Sequence, residues 1–342
     1  MEFKILSILV FAFFLYLINF YLKKFNFCLD KISNKEKHKS LLSLNKSVPL
    51  SGSFYFFPII FFLFCQFELT ISIFCLFFFT LGLMSDLKIT YSPKLRLAVQ
   101  FFFLLIFLYI NNNIIIDTRI DNLNYIMNSN ISRIIIVSFF FLVLINGFNF
   151  IDGTNNLSSL NFLIILIFIY LLLGNVGIAK FSNEILILII ALSIFVIFNF
   201  FGENFLGDGG VYGLSFLIGY IAIKITLLDQ NISPYFVANL LWYPAFENLF
   251  TIVKRTIYKK KHYLPDNEHL HQMFYKYLKK KKFIKKKYLL SSLTGILINI
   301  YLFAIFFIGY IYYSKTNIQI FLIIMNTLIY IMFYQLLKKN YK

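Results

Sequence analysis

Five short polar clusters interrupt an otherwise apolar chain, and they carry side chains that could hold a metal ion or an anion. The longest is Asn146-Gly147-Phe148-Asn149-Phe150-Ile151-Asp152-Gly153-Thr154-Asn155-Asn156. Asn146, Asn149 and Asp152 recur at every third position, which on a helix puts two carboxamides and a carboxylate along one face. Inside an apolar bundle such a face is costly unless it binds something. The plainer reading is a polar helix end at the membrane surface. Gly207-Asp208-Gly209-Gly210 sets a lone carboxylate between glycines that let backbone approach a ligand and suit a phosphate-greeting helix N-terminus. Paired with Asp152, Asp208 becomes a second carboxylate for one divalent ion.

Three further clusters add to these. Ser85-Asp86 ends an apolar run and leads into Ser92-Pro93-Lys94-Leu95-Arg96, so Asp86 is a metal-binding candidate or simply an interfacial helix end. Pro265-Asp266-Asn267-Glu268-His269-Leu270-His271-Gln272 lies in the most basic loop, close to Arg255. Two histidines one residue apart are zinc-ligand types, but the surrounding lysines and arginine favour an anionic ligand such as pyrophosphate. Lys46-Ser47-Val48-Pro49-Leu50-Ser51-Gly52 reads by itself as a turn.

The elements that must position these residues are membrane spans. Apolar residues make up 60% of the 342-residue chain and charged ones only 14%, too apolar for a soluble domain. Apolar runs near the ~20-residue length of a spanning helix recur at about 4–22, 52–66, 69–84, 95–111, 133–149, 158–174, 184–199, 211–228, 234–252, 288–312 and 317–337. The runs are continuous rather than alternating, which excludes a barrel. The expected fold is therefore an all-α polytopic bundle of about eleven spans, one membrane domain over 1–342. Its motif-bearing region is 46–272 and its basic loop 253–287. The first run reads as a retained span, since no small-residue cleavage site follows it.

The net charge of +17 is asymmetric. Alternate connections 23–51, 85–94, 150–157, 200–210, 253–287 and the C-terminus hold most lysines, including Lys279 to Lys282 and Lys285 to Lys287. The other set has few basic residues, such as Arg119, Lys180 and Lys315. The positive-inside rule places the first set, and with it the polar clusters, in the cytoplasm, with the N-terminus outside. The charge thus reports orientation and contact with anionic membrane lipid rather than nucleic-acid binding. Cys28, Cys65 and Cys75 have no metal-ligand spacing and read as small buried residues. No internal repeat suggests the paired halves of a transporter.

In their order from Lys46 to Gln272 these motifs resemble the polyprenyl-phosphate N-acetylhexosamine-1-phosphate transferases of glycosyltransferase family 4. Pro265-Asp266-x-x-His269-Leu270-His271 and Ser92-Pro93-Lys94-x-Arg96 favour the branch making undecaprenyl-diphosphate-GlcNAc-type lipids over the muramoyl-pentapeptide branch. The resemblance implies transfer of a sugar-1-phosphate from a UDP-sugar to undecaprenyl phosphate, with release of UMP, for cell-envelope polysaccharide synthesis. It implies Mg2+ or Mn2+ as cofactor and a bacterial inner membrane with a cytoplasmic active site; a homodimer is compatible with it. Asp208 would be the principal metal ligand, joined by Asp152. Asp152, Asn149 and Asn146 would line the nucleotide and diphosphate site. His269 and His271 would contact the donor, and Asp86 would lie near the lipid phosphate. Lys46, Asn155 and Arg255 complete the expected substrate-binding set.

Three positions depart from the family pattern. Ser85 stands where paired aspartates are usual, Gln272 replaces a third histidine, and Asn155-Asn156 replaces an Asp-Gly. A phosphate monoester, with a second pKa of about 6, is largely dianionic at pH 7. Positioning and charge neutralisation can then carry phosphoryl transfer without a base at position 85. The competing expectations are the muramoyl-pentapeptide version of the reaction and, from another class, a transporter or a non-catalytic binder of the lipid carrier.

Overall fold

The computed structural model describes residues 2–30, 47–65, 68–89, 92–111, 114, 117–178, 181–257, 268–282 and 284–339. Its elements are α1 (Glu2–Lys24), β1 (Leu29–Asp30), β2 (Val48–Pro49), α2 (Gly52–Phe64), α3 (Leu69–Asp86), α4 (Pro93–Ile110), α5 (Asp121–Met127), α6 (Asn130–Ile151), α7 (Leu157–Asn175), α8 (Ser182–Phe200), α9 (Gly207–Leu228), α10 (Pro234–Leu240), α11 (Trp242–Ile257), α12 (Leu270–Lys280), α13 (Lys287–Ile311) and α14 (Thr316–Lys339). Among the described residues, 9 helices are long and apolar enough to cross a membrane: α1, α3, α4, α6, α7, α8, α9, α13 and α14.

Two of the expected spans take another form. The run at 52–66 yields α2, only 13 residues long. At ~1.5 Å per residue it falls short of a ~30 Å hydrocarbon layer. The run at 234–252 is broken at Leu241 between α10 and α11. Pro244, in the first turn of α11, has no N–H to give Leu240, so one continuous helix cannot run through this point. The new start carries α11 to Ile257, into what the sequence reads as the basic loop. Its buried face is polar, with Glu247, Asn248, Thr251, Lys254 and Arg255, while Leu249, Ile252, Val253 and Ile257 are exposed. That inversion is the pattern of a helix between a polar site and lipid.

The centre of the bundle is α9, in which nearly every residue from Gly207 to Ala222 is buried. Against it pack α2, α3, α6 and α7. Phe216 stacks on Phe78 at 4.7 Å between centroids and meets Phe107 edge-on at 4.9 Å, which joins α3, α4 and α9. At the site end, α3 and α9 approach more closely still: a Cβ on Gly82 would lie 2.3 Å from the Gly209 Cα. Small residues are what allow such backbone contact in membrane bundles.

Buried amides tie the remaining helices. Asn299 Nδ2 donates to the carbonyls of Asn156 at 3.1 Å and Leu157 at 3.0 Å. Gln319 Nε2 donates to Gly309 O at 2.6 Å. The segment that reads as a turn before α2 is a strand edge. It pairs antiparallel with β1, and Leu50 bridges to Phe205, just ahead of α9. Phe205 N–H donates to Pro49 O at 2.9 Å, and Ser51 N–H to Phe205 O at 3.0 Å.

Candidate active site

Asp86, at the end of α3, caps α9 from across the helix interface. Its carboxylate accepts the Asp208 N–H at 2.9 Å and the Gly209 N–H at 3.1 Å. The residue before α9 is Leu206, whose side chain offers no oxygen, so the first N–H groups of the helix need an outside acceptor. A carboxylate there also meets the positive end of the helix dipole. Gly207 makes room for it: its φ is +70°, and a Cβ would sit 2.6 Å from Asp86 Oδ2.

With its backbone so held, the Asp208 side chain turns to α4. Arg96 Nη1 donates to Asp208 Oδ2 at 2.8 Å, and Ser85 Oγ donates to the same oxygen at 2.5 Å. Arg96 also donates to Ser85 Oγ, so the serine relays between guanidinium and carboxylate. Arg96 stands in the first turn of α4, which starts at Pro93 and is capped by Ser92 accepting from the Leu95 N–H at 3.4 Å. The ion pair is partly open to solvent, with the two side chains 21% and 28% exposed.

The C-terminal turn of α6 supplies the facing wall. Asn146 Nδ2 donates to Gln100 Oε1 of α4 at 2.8 Å, and Asn149 Nδ2 to the Tyr212 hydroxyl of α9 at 3.2 Å. Asp152 follows the last turn as its C-cap, half-buried, and its carboxylate accepts no hydrogen bond from a described residue. Burial first, and then the charges of Asp208 and Asp86, push this carboxyl well above the ordinary carboxylate range. Asp86, Asp152 and Asp208 therefore share one electrostatic environment, in which Asp152 has no counter-charge among the described residues.

A hard divalent ion fits that donor chemistry. Among the described residues no group of three or more His, Cys, Asp or Glu side chains could hold an ion by itself. Magnesium characteristically takes one or two carboxylates and completes its shell with water and substrate phosphate. Asp152 and Asp208 are the residues that would hold it, with Arg96 partly in competition for Asp208.

His269 and His271 approach from α12. A Cβ on Gly153 would lie 2.6 Å from His271 Nε2, so this imidazole reaches the backbone next to Asp152. His271 is fully buried, and neither ring nitrogen has a partner among the described residues. Burial, opposed by the charge of Glu247, lowers its pKa to about 3, which leaves the ring neutral. His269 stacks on it at 5.7 Å and packs against Phe150 at 5.2 Å. Its Nδ1 lies 3.0 Å from Glu247 Oε1.

The other expected site residues are placed as follows. Asn155 is buried against α13: its N–H donates to Ser291 Oγ at 3.0 Å, and Ser291 Oγ donates to its Oδ1 at 3.3 Å. Asn156 follows in the left-handed region at φ +61°, where asparagine is among the residues best tolerated, so it serves where the family pattern has glycine. Arg255 is buried in the last turn of α11. Lys46 and Asp266 lie outside the described residues. Cys28 sits by Leu50 with its thiol raised to about 12 by burial and the Asp86 charge, in keeping with a buried, unreactive residue.

Arg96, Gln100, Tyr212, Glu247 and Tyr330 join the site although sequence reasoning gave them no role. Arg96 was visible within its motif. Glu247 carried a usable signal as a lone acid in an apolar run.

A family comparison covers most of these elements. The model of glycosyl transferase family 4 matches residues 68–226, from the start of α3 almost to the end of α9. Over these elements, a little under half of its length, the chain is similar to glycosyl transferase family 4. A search of curated proteins gives no significant match.

Proposed function

We propose that this protein transfers N-acetylhexosamine-1-phosphate from a UDP-sugar to undecaprenyl phosphate at the cytoplasmic face of a bacterial inner membrane, with release of UMP. The observation that carries the reading is the convergence of Asp208, Asp152, Arg96 and the histidine pair at one end of the bundle, where a soluble donor and a membrane-held acceptor can meet. An oxygen of the lipid phosphate attacks the donor β-phosphorus. The bond from that phosphorus to the bridging oxygen breaks, and UMP leaves with the bridging oxygen, giving the lipid diphosphate sugar.

The residues divide the work. Arg96 offers guanidinium N–H donors to a phosphate beside Asp208. Asp86 fixes the α9 N-terminus, so Asp208 stays aligned without reorganising during reaction. Asn146 and Asn149 orient the wall that faces the donor, and His269 and His271 close its far side. Asp208 and Asp152 would hold a magnesium ion, which when bound neutralises charge on the diphosphate. Because the lipid phosphate is already mostly dianionic, Ser85 leaves attack feasible without a general base at that position.

The test supplies purified protein with undecaprenyl phosphate, Mg2+ and a panel of UDP-sugars, and measures UMP. Release is expected with at least one UDP-N-acetylhexosamine. Asp208→Asn should lower the rate by about 10³-fold or more. No UMP from any donor, or full activity in Asp208→Asn, would overturn the assignment.

A further inference from the structure

Glu247 is 1% exposed in the interior of a bundle, and its carboxylate has three donors. The Tyr330 hydroxyl of α14 donates to Oε2 at 2.7 Å. The Leu270 N–H, in the first turn of α12, donates to Oε1 at 3.4 Å. The third partner is His269 Nδ1, 3.0 Å from Oε1. An ionised carboxylate only accepts hydrogen bonds, so this contact requires the proton on Nδ1. The ring also stacks on His271 and meets Phe150 at a tilt, contacts that restrict its plane as well as its tautomer. The side-chain contacts of His269, to Glu247 and to the Thr251 hydroxyl at 3.5 Å, both fall on Nδ1, and Nε2 has no partner among the described residues.

We propose that Glu247 is the positioning residue of the donor site: by holding His269 Nδ1–H it turns Nε2 toward the UDP-sugar, and Tyr330 in turn fixes Glu247. Which nitrogen of a histidine faces a ligand is set by the hydrogen bond made by the other. The buried carboxylate is thereby accounted for, since a charge so deep persists only when paired and hydrogen-bonded. The inference rests on the transferase reading for the ligand that Nε2 meets, but the Glu247–His269 geometry stands apart from it.

Two measurements separate the two. The first needs no turnover: ¹⁵N-histidine spectra of the full-length protein, with the four histidines assigned by single replacement. His269 is expected to carry its proton on Nδ1, and Glu247→Gln to shift it toward a mixture of tautomers. A His269 protonated on Nε2 alone in the wild-type protein would overturn the proposal even if the enzyme is active. The expected tautomer in a protein that releases no UMP would instead retire the transferase reading and keep the Glu247 assignment.

The second measurement is a double-mutant cycle on donor kcat/KM. Glu247→Gln is expected to lose roughly 10- to 100-fold, the range typical of partners that orient ligand histidines. The loss should fall on the donor rather than on the KM for undecaprenyl phosphate, and vanish in a His269→Ala background. Tyr330→Phe keeps the ring and serves if Glu247→Gln does not fold; its smaller loss should vanish in the same background. Equal losses with and without His269 would show a merely structural carboxylate and overturn the proposal.

Discussion

Ser85 is an exception to the family pattern that the surrounding residues explain. It replaces an acid, yet its hydroxyl donates to Asp208 and accepts from Arg96, so it joins a charge pair instead of adding a charge. Ser85→Asp would put a second carboxylate beside Asp208 and strengthen the pull on a divalent ion. The Mg2+ concentration at half-maximal activity should fall by about tenfold, equivalent to ~1.4 kcal/mol; an unchanged or higher Mg2+ requirement in a titration of initial rate would contradict this. Asp152, Asp208 and the histidines were legible because each stands in a short polar motif amid apolar sequence. The Arg96–Asp208 pair was not, since 112 positions separate its members and only the bundle brings them together. Nor could spacing show that Asp86 faces the backbone of α9.

At the scale of elements, the site depends on how closely α3 can approach α9. Gly82 sets that distance, because a Cβ there would fall 2.5 Å from the carbonyl carbon of Asp208 and backbone would have to move. Gly82→Ala is expected to cost about 1–3 kcal/mol, to lower the thermal unfolding midpoint in detergent, and to reduce transfer through displacement of Asp208. A wild-type midpoint would show that the interface gives way freely. Most helices could be read from apolar run length alone. The exceptions came from backbone chemistry and packing: Pro244 splits one run into α10 and α11, and α2 stops after 13 residues. The inward polar face of α11 escaped notice for a related reason, since its tail carries lysine and arginine and resembles a loop.

For the molecule as a whole, the connections separate into two ends. At one, Lys23 pairs with Glu203 at 2.8 Å and α3 meets the start of α9. At the other, Arg119 donates to Ser314 O and Thr316 Oγ1, both at 3.0 Å, and to Gln230 O at 2.5 Å. Single cysteines in a background lacking the native three would test which end faces the cytoplasm. An impermeant thiol reagent should label Lys315→Cys in spheroplasts and Lys281→Cys only after permeabilisation; the reverse pattern would invert the orientation. The order of synthesis also matters for this architecture. Asp86, Arg96, Asp152 and Asp208 are all on helices or loops complete by the end of α9, so a ribosome-bound chain could assemble them early. Tyr330 lies on the last helix. On the proposed reading, the half of the site that would grip the donor is finished only when α14 has inserted, and a chain released before that point would hold its carboxylates in place without the Tyr330 bond that fixes Glu247.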